Sequence, residues 1–174
     1  MKSVSSFLVL CASLVLAAQA RSAVLPDACG QDAVRFDVTT QITQPAPTAP
    51  PAGKALFVLI EDQKDKPHSW RDRSDTVRFA LDGAWVGATK GNSYFALEVT
   101  PGIHHLCASW QGAVKVVTGF DLAPINAEPG KVYYFAAEVT DTEYFANFSL
   151  AQLNDDQGEY RLKFWTRSTS KPNR

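Results

Sequence analysis

The densest group of potentially reactive side chains is the run His104-His105-Leu106-Cys107. Imidazole and thiolate are the ligands that zinc and copper favour. On an extended strand neighbouring side chains point to opposite faces, so His104 and His105 cannot hold one ion together without a bulge. His105 and Cys107 do share a face, and Cys29 is available as a third ligand, but no fourth is evident. The simpler expectation is a Cys29–Cys107 disulfide with a histidine packed beside it.

A second group lies in the polar stretch from Asp62 to Asp75, where His68, Trp70, Arg71 and Arg73 stand close together. An aromatic ring among cations can grip a sugar, a phosphate or a protein surface. The competing reading is a solvated loop whose tryptophan folds back on the domain. The search for a nucleophile is negative. Gly91-Asn-Ser-Tyr-Phe95 lacks the closing glycine of a nucleophile elbow. No His-Glu-x-x-His and no phosphate-binding glycine loop occurs. Asp155-Asp156 reads as a turn rather than a calcium loop. No catalytic residue and no cofactor is therefore assigned, and the sequence names no activity.

The first twenty residues set the compartment. Lys2, the apolar run Phe7–Leu16 and the small-x-small triplet Ala18-Gln19-Ala20 read as a secretory signal peptide cut after Ala20. An uncleaved anchor is the alternative, but the apolar run is short for a bilayer core of about 30 Å. Lipidation at Cys11 is disfavoured by the large Leu10 before it. Of three cysteines, Cys29 and Cys107 remain after cleavage. An even count in an oxidising compartment predicts one disulfide, worth ~4 kcal/mol on a chain-entropy estimate. Two separate buried thiols are the other possibility. Cleavage would leave 16 basic against 18 acidic residues, a net charge of −2. That balance argues against nucleic acid as the main partner, because phosphate binding needs a basic excess.

The elements that must position these groups are short. Hydrophobic residues make up 45% of the 174 and charged residues 20%, enough for one core. Val34–Thr40 alternates with period two. Residues 44–53 hold four prolines among small residues and predict a semi-stiff linker, with a PxxP recognition site at Pro47 and Pro50 as the functional alternative. Lys54–Glu61 is continuously apolar, as in a strand covered on both faces. In Thr76–Leu81 the inward set is Val77, Phe79 and Leu81, with Arg78 outward. Asp82-Gly83 fits a type I′ turn, and Gly91-Asn92 and Pro101-Gly102 are further turns. In Ser93–Val99 the set Phe95, Leu97 and Val99 opposes Tyr94 and Glu98. Further strands are expected at Ile103–Trp110, Val114–Leu122, Val132–Val139, Ala146–Leu150 and Tyr160–Trp165. Tyr133, Phe135, Ala137 and Val139 form one core face. Asn154–Gly158 reads as a turn, Asp141–Phe145 as one helical turn, and residues 168–174 as a flexible tail. Turns about every ten residues without a long helical period predict an all-β antiparallel sandwich. The division is 1–20 signal peptide, 21–43 N-terminal segment with one strand, 44–53 linker, 54–167 sandwich, 168–174 tail.

The ordered set Lys54-Ala-Leu-Phe-Val, Leu81-Asp-Gly-Ala-Trp-Val-Gly, Gly91-Asn-Ser-Tyr-Phe, Pro101-Gly-Ile-His-His-Leu-Cys and Ala127-Glu-Pro-Gly-Lys-Val-Tyr-Tyr-Phe resembles the bacterial family called domain of unknown function 2846. It is most similar to exported acidobacterial members, which carry a comparable N-terminal Cys-Gly. The likeness covers roughly residues 54–165. The Asp-Gly-x-x-Val-Gly and Pro-Gly-x-His patterns also resemble the small PEGA sandwich of bacterial envelope proteins. These resemblances imply an immunoglobulin-like or PEGA-like sandwich at the envelope and import no catalytic residue. The resulting expectation is a periplasmic or secreted bacterial module with no membrane span after cleavage. Its partner would be an envelope protein or polysaccharide. Alternatives are a hydrolase-like enzyme with dispersed residues, or metal handling through His105 and Cys107.

Overall fold

The computed structural model describes residues 27–42, 49–64, 76–111, 120–141 and 146–173. After a single 3-10 turn at Asp27–Cys29 the strands are β1 (Arg35–Gln41), β2 (Ala55–Lys64), β3 (Thr76–Leu81), β4 (Ala84–Lys90), β5 (Ser93–Val99) and β6 (Gly102–Trp110). They continue with β7 (Phe120–Ala127), β8 (Val132–Asp141), β9 (Ala146–Leu153) and β10 (Thr166–Asn173), with one helix, α1 (Asp155–Phe164), before β10. A six-stranded sheet in the order β1-β10-β5-β2-β8-β9 faces a four-stranded sheet in the order β4-β3-β6-β7. The all-β sandwich is therefore present. Most pairings are antiparallel, but β2 runs parallel to β8 and β10 parallel to β5.

Between the sheets lie the odd-numbered apolar residues of β2, Phe57 and Leu59, with Val77, Phe79, Leu106, Ala108, Phe135 and Ala137. The Phe57 ring meets Phe135 and Tyr133 edge-on at 5.3 and 5.5 Å. Each of the large ones that are fully removed from water, Phe57, Leu59, Val77, Phe79, Leu106 and Phe135, stabilises by roughly 1.5–3 kcal/mol. The even-numbered residues Leu56, Val58 and Ile60 are buried too, on the opposite face, with Tyr94, Tyr134, Leu162 and Trp165. Helix α1 supplies that cover, so β2 is dry on both sides, as its unbroken apolar run requires.

Helix α1 corrects two expectations. Asn154–Gly158 is its cap and first turn, and Tyr160–Phe164 is helical rather than a strand. The Asn154 side chain accepts from the Gln157 N–H at 2.9 Å, and the Gln157 side chain accepts from the Asn154 N–H at 3.2 Å. This reciprocal cap, with Asp155 and Asp156 at the positive helix end, starts the helix. Arg161 holds it down through Nε and Nη2 bonds to Asp62 of β2, at 3.1 and 2.9 Å.

Of the expected flexible tail, residues 168–173 instead lie in β10, which pairs with β1 from Gln41↔Arg167 to Arg35↔Asn173. The N-terminal strand thus belongs to the same sheet as the strands beyond the proline-rich stretch. Polar loop Asp62–Asp75 starts later than expected, since β2 runs to Lys64; residues 65–75 lie outside the described residues. The strand expected at Val114–Leu122 is β7, starting at Phe120, and residues 112–119 lie outside the described residues. So do the leader, residues 142–145 of the helical turn expected at Asp141–Phe145, and residues 44–48 of the linker.

Only one of the three central turns makes a hairpin. Asp82-Gly83, both at positive φ, joins β3 to β4 as a type I′ turn should. Gly91-Asn92 carries the chain across to the six-stranded sheet, and Pro101 brings it back. Near Gly87 the register with β3 slips by one residue, a bulge. The corners of the sandwich are closed by side chains. The Ala88 N–H donates to the Ser170 hydroxyl at 3.0 Å, tying β4 to β10. The Leu150 N–H donates to the Asp121 carboxylate at 2.9 Å, tying β9 to β7.

Candidate functional site

Where the β3–β4 and β5–β6 turns meet, Asp82, Thr100 and His104 converge. The Asp82 carboxylate lies 2.6 Å from His104 Nδ1, and the Thr100 carbonyl 2.8 Å from Nε2. A carbonyl can only accept, so Nε2 carries a proton. An ionised carboxylate also only accepts, so Nδ1 carries the other. The ring is nine-tenths buried against the edge of Phe57, at 6.3 Å between centroids. Burial opposes charge on the ring, but the bonds to Asp82 and Thr100 and the Asp82 charge outweigh it, so the His104 pKa is raised. Desolvation likewise opposes the Asp82 carboxylate, and the bonds from His104 and from the His105 N–H overcome it, lowering its pKa. The second oxygen of Asp82 accepts that N–H at 2.8 Å. An imidazolium committed at both nitrogens clamps two turns and has no lone pair for a substrate proton or a metal.

The outer face of the four-stranded sheet carries the other constellation. Cys107 and Ala80 sit opposite each other there, and Cys29 is bonded to Cys107 across a sequence separation of 78. The predicted disulfide is present and fully buried. It seats the chain from Asp27 to Phe36 as a strap. Gly83 and Gly30 let the strap approach: both are at positive φ, and a Cβ on Gly83 would stand 2.8 Å from the Asp27 carbonyl oxygen. The Gly83 N–H then reaches the Ala28 carbonyl at 3.0 Å. Trp85 donates its indole N–H to the Gln31 carbonyl at 2.7 Å.

Arg78 lies at the centre of this contact. Its guanidinium stacks over Trp85, 4.4 Å from the ring centroid. It donates to the carbonyls of Asp32 and Val34, to the Asp32 carboxylate at 3.3 Å and to the Ser109 hydroxyl at 3.1 Å. Burial and the neighbouring Arg35 lower its pKa, against the pull of Asp32. The strap ends where the Gln111 amide accepts from the Phe36 N–H and donates to its carbonyl, as a paired strand would.

His105 and Cys107 do share the outer face of β6, as expected. Both cysteine sulfurs are consumed in the disulfide, however, so the thiolates that a metal site would need are gone. Among the described residues no group of three or more His, Cys, Asp or Glu could hold an ion. His68, Trp70, Arg71 and Arg73 lie outside the described residues. Alternation in β3 turns Arg78 outward from the core. It does point away from the core, but the strap covers it, and only alternation with Val77 and Phe79 is visible locally.

One cleft of about 340 Å³ opens between β5 and β10. Phe95 and Ala96 form one wall, and Arg167, Ser168, Thr169, Ser170 and Gln41 the other. Its lining contains hydroxyls, an amide and one cation, and no carboxylate, imidazole or thiol. Among the described residues no helix is long and apolar enough to cross a membrane. No protein-family model, curated protein or solved structure matches this chain.

Proposed function

We propose that this chain is an exported β-sandwich module with a non-enzymatic binding or structural role in a bacterial cell envelope. The observation that carries the reading is the commitment, among the described residues, of His104, Cys29 and Cys107. His104 spends both nitrogens on turns, the cysteines form a buried staple, and the hydroxyls of the cleft have no carboxylate, imidazole or thiol beside them in its lining to activate them. A reacting centre needs at least one such group free to face its substrate. The disulfide supports an oxidising compartment, and the leader-like N-terminus supports export through it.

Two measurements test this. Fractionation of expressing cells, with N-terminal sequencing, is expected to recover a chain starting at Arg21 outside the cytosol. A cytosolic chain with its leader intact overturns the export. Crosslinking in intact cells is expected to trap a defined envelope partner. A chain that stays monomeric under crosslinking and turns over ester, phosphate or peptide substrates overturns the binding role.

A further inference from the structure

Helix α1 presents two unlike faces. Gly158, Arg161 and Leu162 seat it: Gly158 lies against the Tyr134 ring, Arg161 bonds to Asp62, and Leu162 packs in the outer apolar cluster. With 3.6 residues per turn, the opposite face carries Asp156, Tyr160, Lys163 and Phe164. All four side chains are exposed. Tyr160 and Phe164 are 62% and 68% accessible, with ring centroids 5.0 Å apart. Neither ring helps to seat the helix, so their joint exposure calls for another cause. The chain enters α1 from β9 and leaves it into β10, both described up to the helix. Asp156 and Lys163 flank the rings, and neither forms an ion pair with a described residue. Seven residues separate them, about 10 Å along the axis, too far for one to neutralise the other.

We propose that this face of α1 pairs with the same face of a second copy, the two helices antiparallel about a two-fold axis. The inference goes beyond the binding-module reading and does not depend on it. The stripe complements itself. A two-fold axis beside Tyr160 brings Asp156 of each copy opposite Lys163 of the other, so one geometry makes two ion pairs. Side chains on a helix lean toward its N-terminus, which lays Phe164 back over Tyr160 and gathers four rings at the axis. Other occupants fit less well. The rings are tilted 54° to each other and offer no common plane to a sugar. Asp155, Asp156 and Glu159 would repel an anionic membrane. At the observed exposure each ring offers about 100–160 Å² of the 150–250 Å² such side chains bury. Four rings then bury roughly 400–650 Å², well short of the 1,200–2,000 Å² of a stable complex. The pairing is therefore weak and depends on concentration.

The test is sedimentation velocity of the purified exported chain from about 10 µM to 1 mM, the range where so small an interface associates. The mean mass is expected to rise toward that of a dimer. F164S, K163E and D156K are each expected to weaken association at least fivefold. An equimolar mixture of K163E and D156K is expected to regain it, since each then carries the charge that the other lacks. All three positions are on the surface, and melting temperatures check that each variant is folded. A chain that stays monomeric at 1 mM, a dimer indifferent to F164S, or a mixture that regains nothing overturns the proposal. So does an envelope polysaccharide whose binding is lost on F164S and unchanged in K163E and D156K. Each of these results is read in solution and leaves the export and module reading, tested in cells, standing.

Discussion

Substituting Gly158 by alanine sets two effects of opposite sign against each other. Gly158 is buried in α1, and a Cβ built there would stand 2.6 Å from Cδ2 of Tyr134 and closer still to Cγ and Cδ1. At an exposed helical position this change would stabilise by about 1 kcal/mol, because alanine loses less backbone entropy. Here the methyl needs roughly 3.5–4.0 Å to a ring carbon, so helix and ring must part by more than 1 Å. Tyr134 is buried, with Leu56, Ile60, Leu153 and Leu162 in the same cluster. It cannot retreat without opening that layer, and overpacking of this kind costs about 1–3 kcal/mol or more. The clash exceeds the propensity gain, so G158A is expected to destabilise by about 1–2 kcal/mol net. For a chain of this size that is roughly 2–8 °C in Tm. The assay is thermal unfolding followed by circular dichroism, for G158A alone and combined with Y134A. In the double variant the ring is gone, and the alanine is expected to cost less than it does alone or to stabilise. A G158A protein that melts above the wild type, or an equal cost in both backgrounds, refutes the packing argument.

The Asp82–His104 clamp predicts a pH dependence with a definite sign. The His104 pKa is raised in the fold, so its contribution is whole below the unfolded value of about 6.5 and is lost as pH rises through the folded value. The Asp82 pKa is lowered, so its contribution is present above about 3.8 and is lost as pH falls through the folded value. Melting temperature is expected to decline as pH rises above about 6.5, and D82N, which is tolerated at that positive φ, is expected to flatten the decline; an unchanged slope in D82N removes the clamp. R78M is expected to cost about 2–3 kcal/mol, through lost charge-assisted bonds and stranded carbonyls, and to speed amide exchange at Phe36; wild-type exchange there refutes the strap. Replacing Cys29 and Cys107 together by alanine is expected to cost about 4 kcal/mol, read by denaturant unfolding. A midpoint within error of the wild type would show that the staple constrains nothing.

Faces are legible in the sequence, but neighbours are not. Alternation in Ser93–Val99 places Phe95, Leu97 and Val99 against the core and Tyr94 opposite, as found. The unbroken Ala55–Ile60 run announces burial on both sides. Side-chain period reports only local exposure, however. Which sheet a strand joins depends on partners that can lie more than a hundred residues away, as Arg35 and Asn173 do, so the crossings at Gly91 and Pro101 look locally like hairpins. Helix α1 escapes the pattern because Gly158 interrupts it and Tyr160, Leu162 and Phe164 mimic period two. The Asn154–Gln157 cap is the signal that marks it. The site divides the same way. Two cysteines suffice to name the disulfide, whereas the partners of His104 and Arg78 are set by turns and a strap that no local pattern encodes.

The position of the staple decides how the domain would bear tension. A load entering ahead of Cys29 passes through sulfur to the middle of β6, a strand flanked on both sides. A load leaving after Asn173 starts at the end of β10, opposite Arg35, where hydrogen bonds can break one at a time. Stretched between two anchors, the molecule would unzip from its β10 end while the segment from Cys29 to Cys107 stayed covalently looped. Reducing the bond would let the whole chain extend.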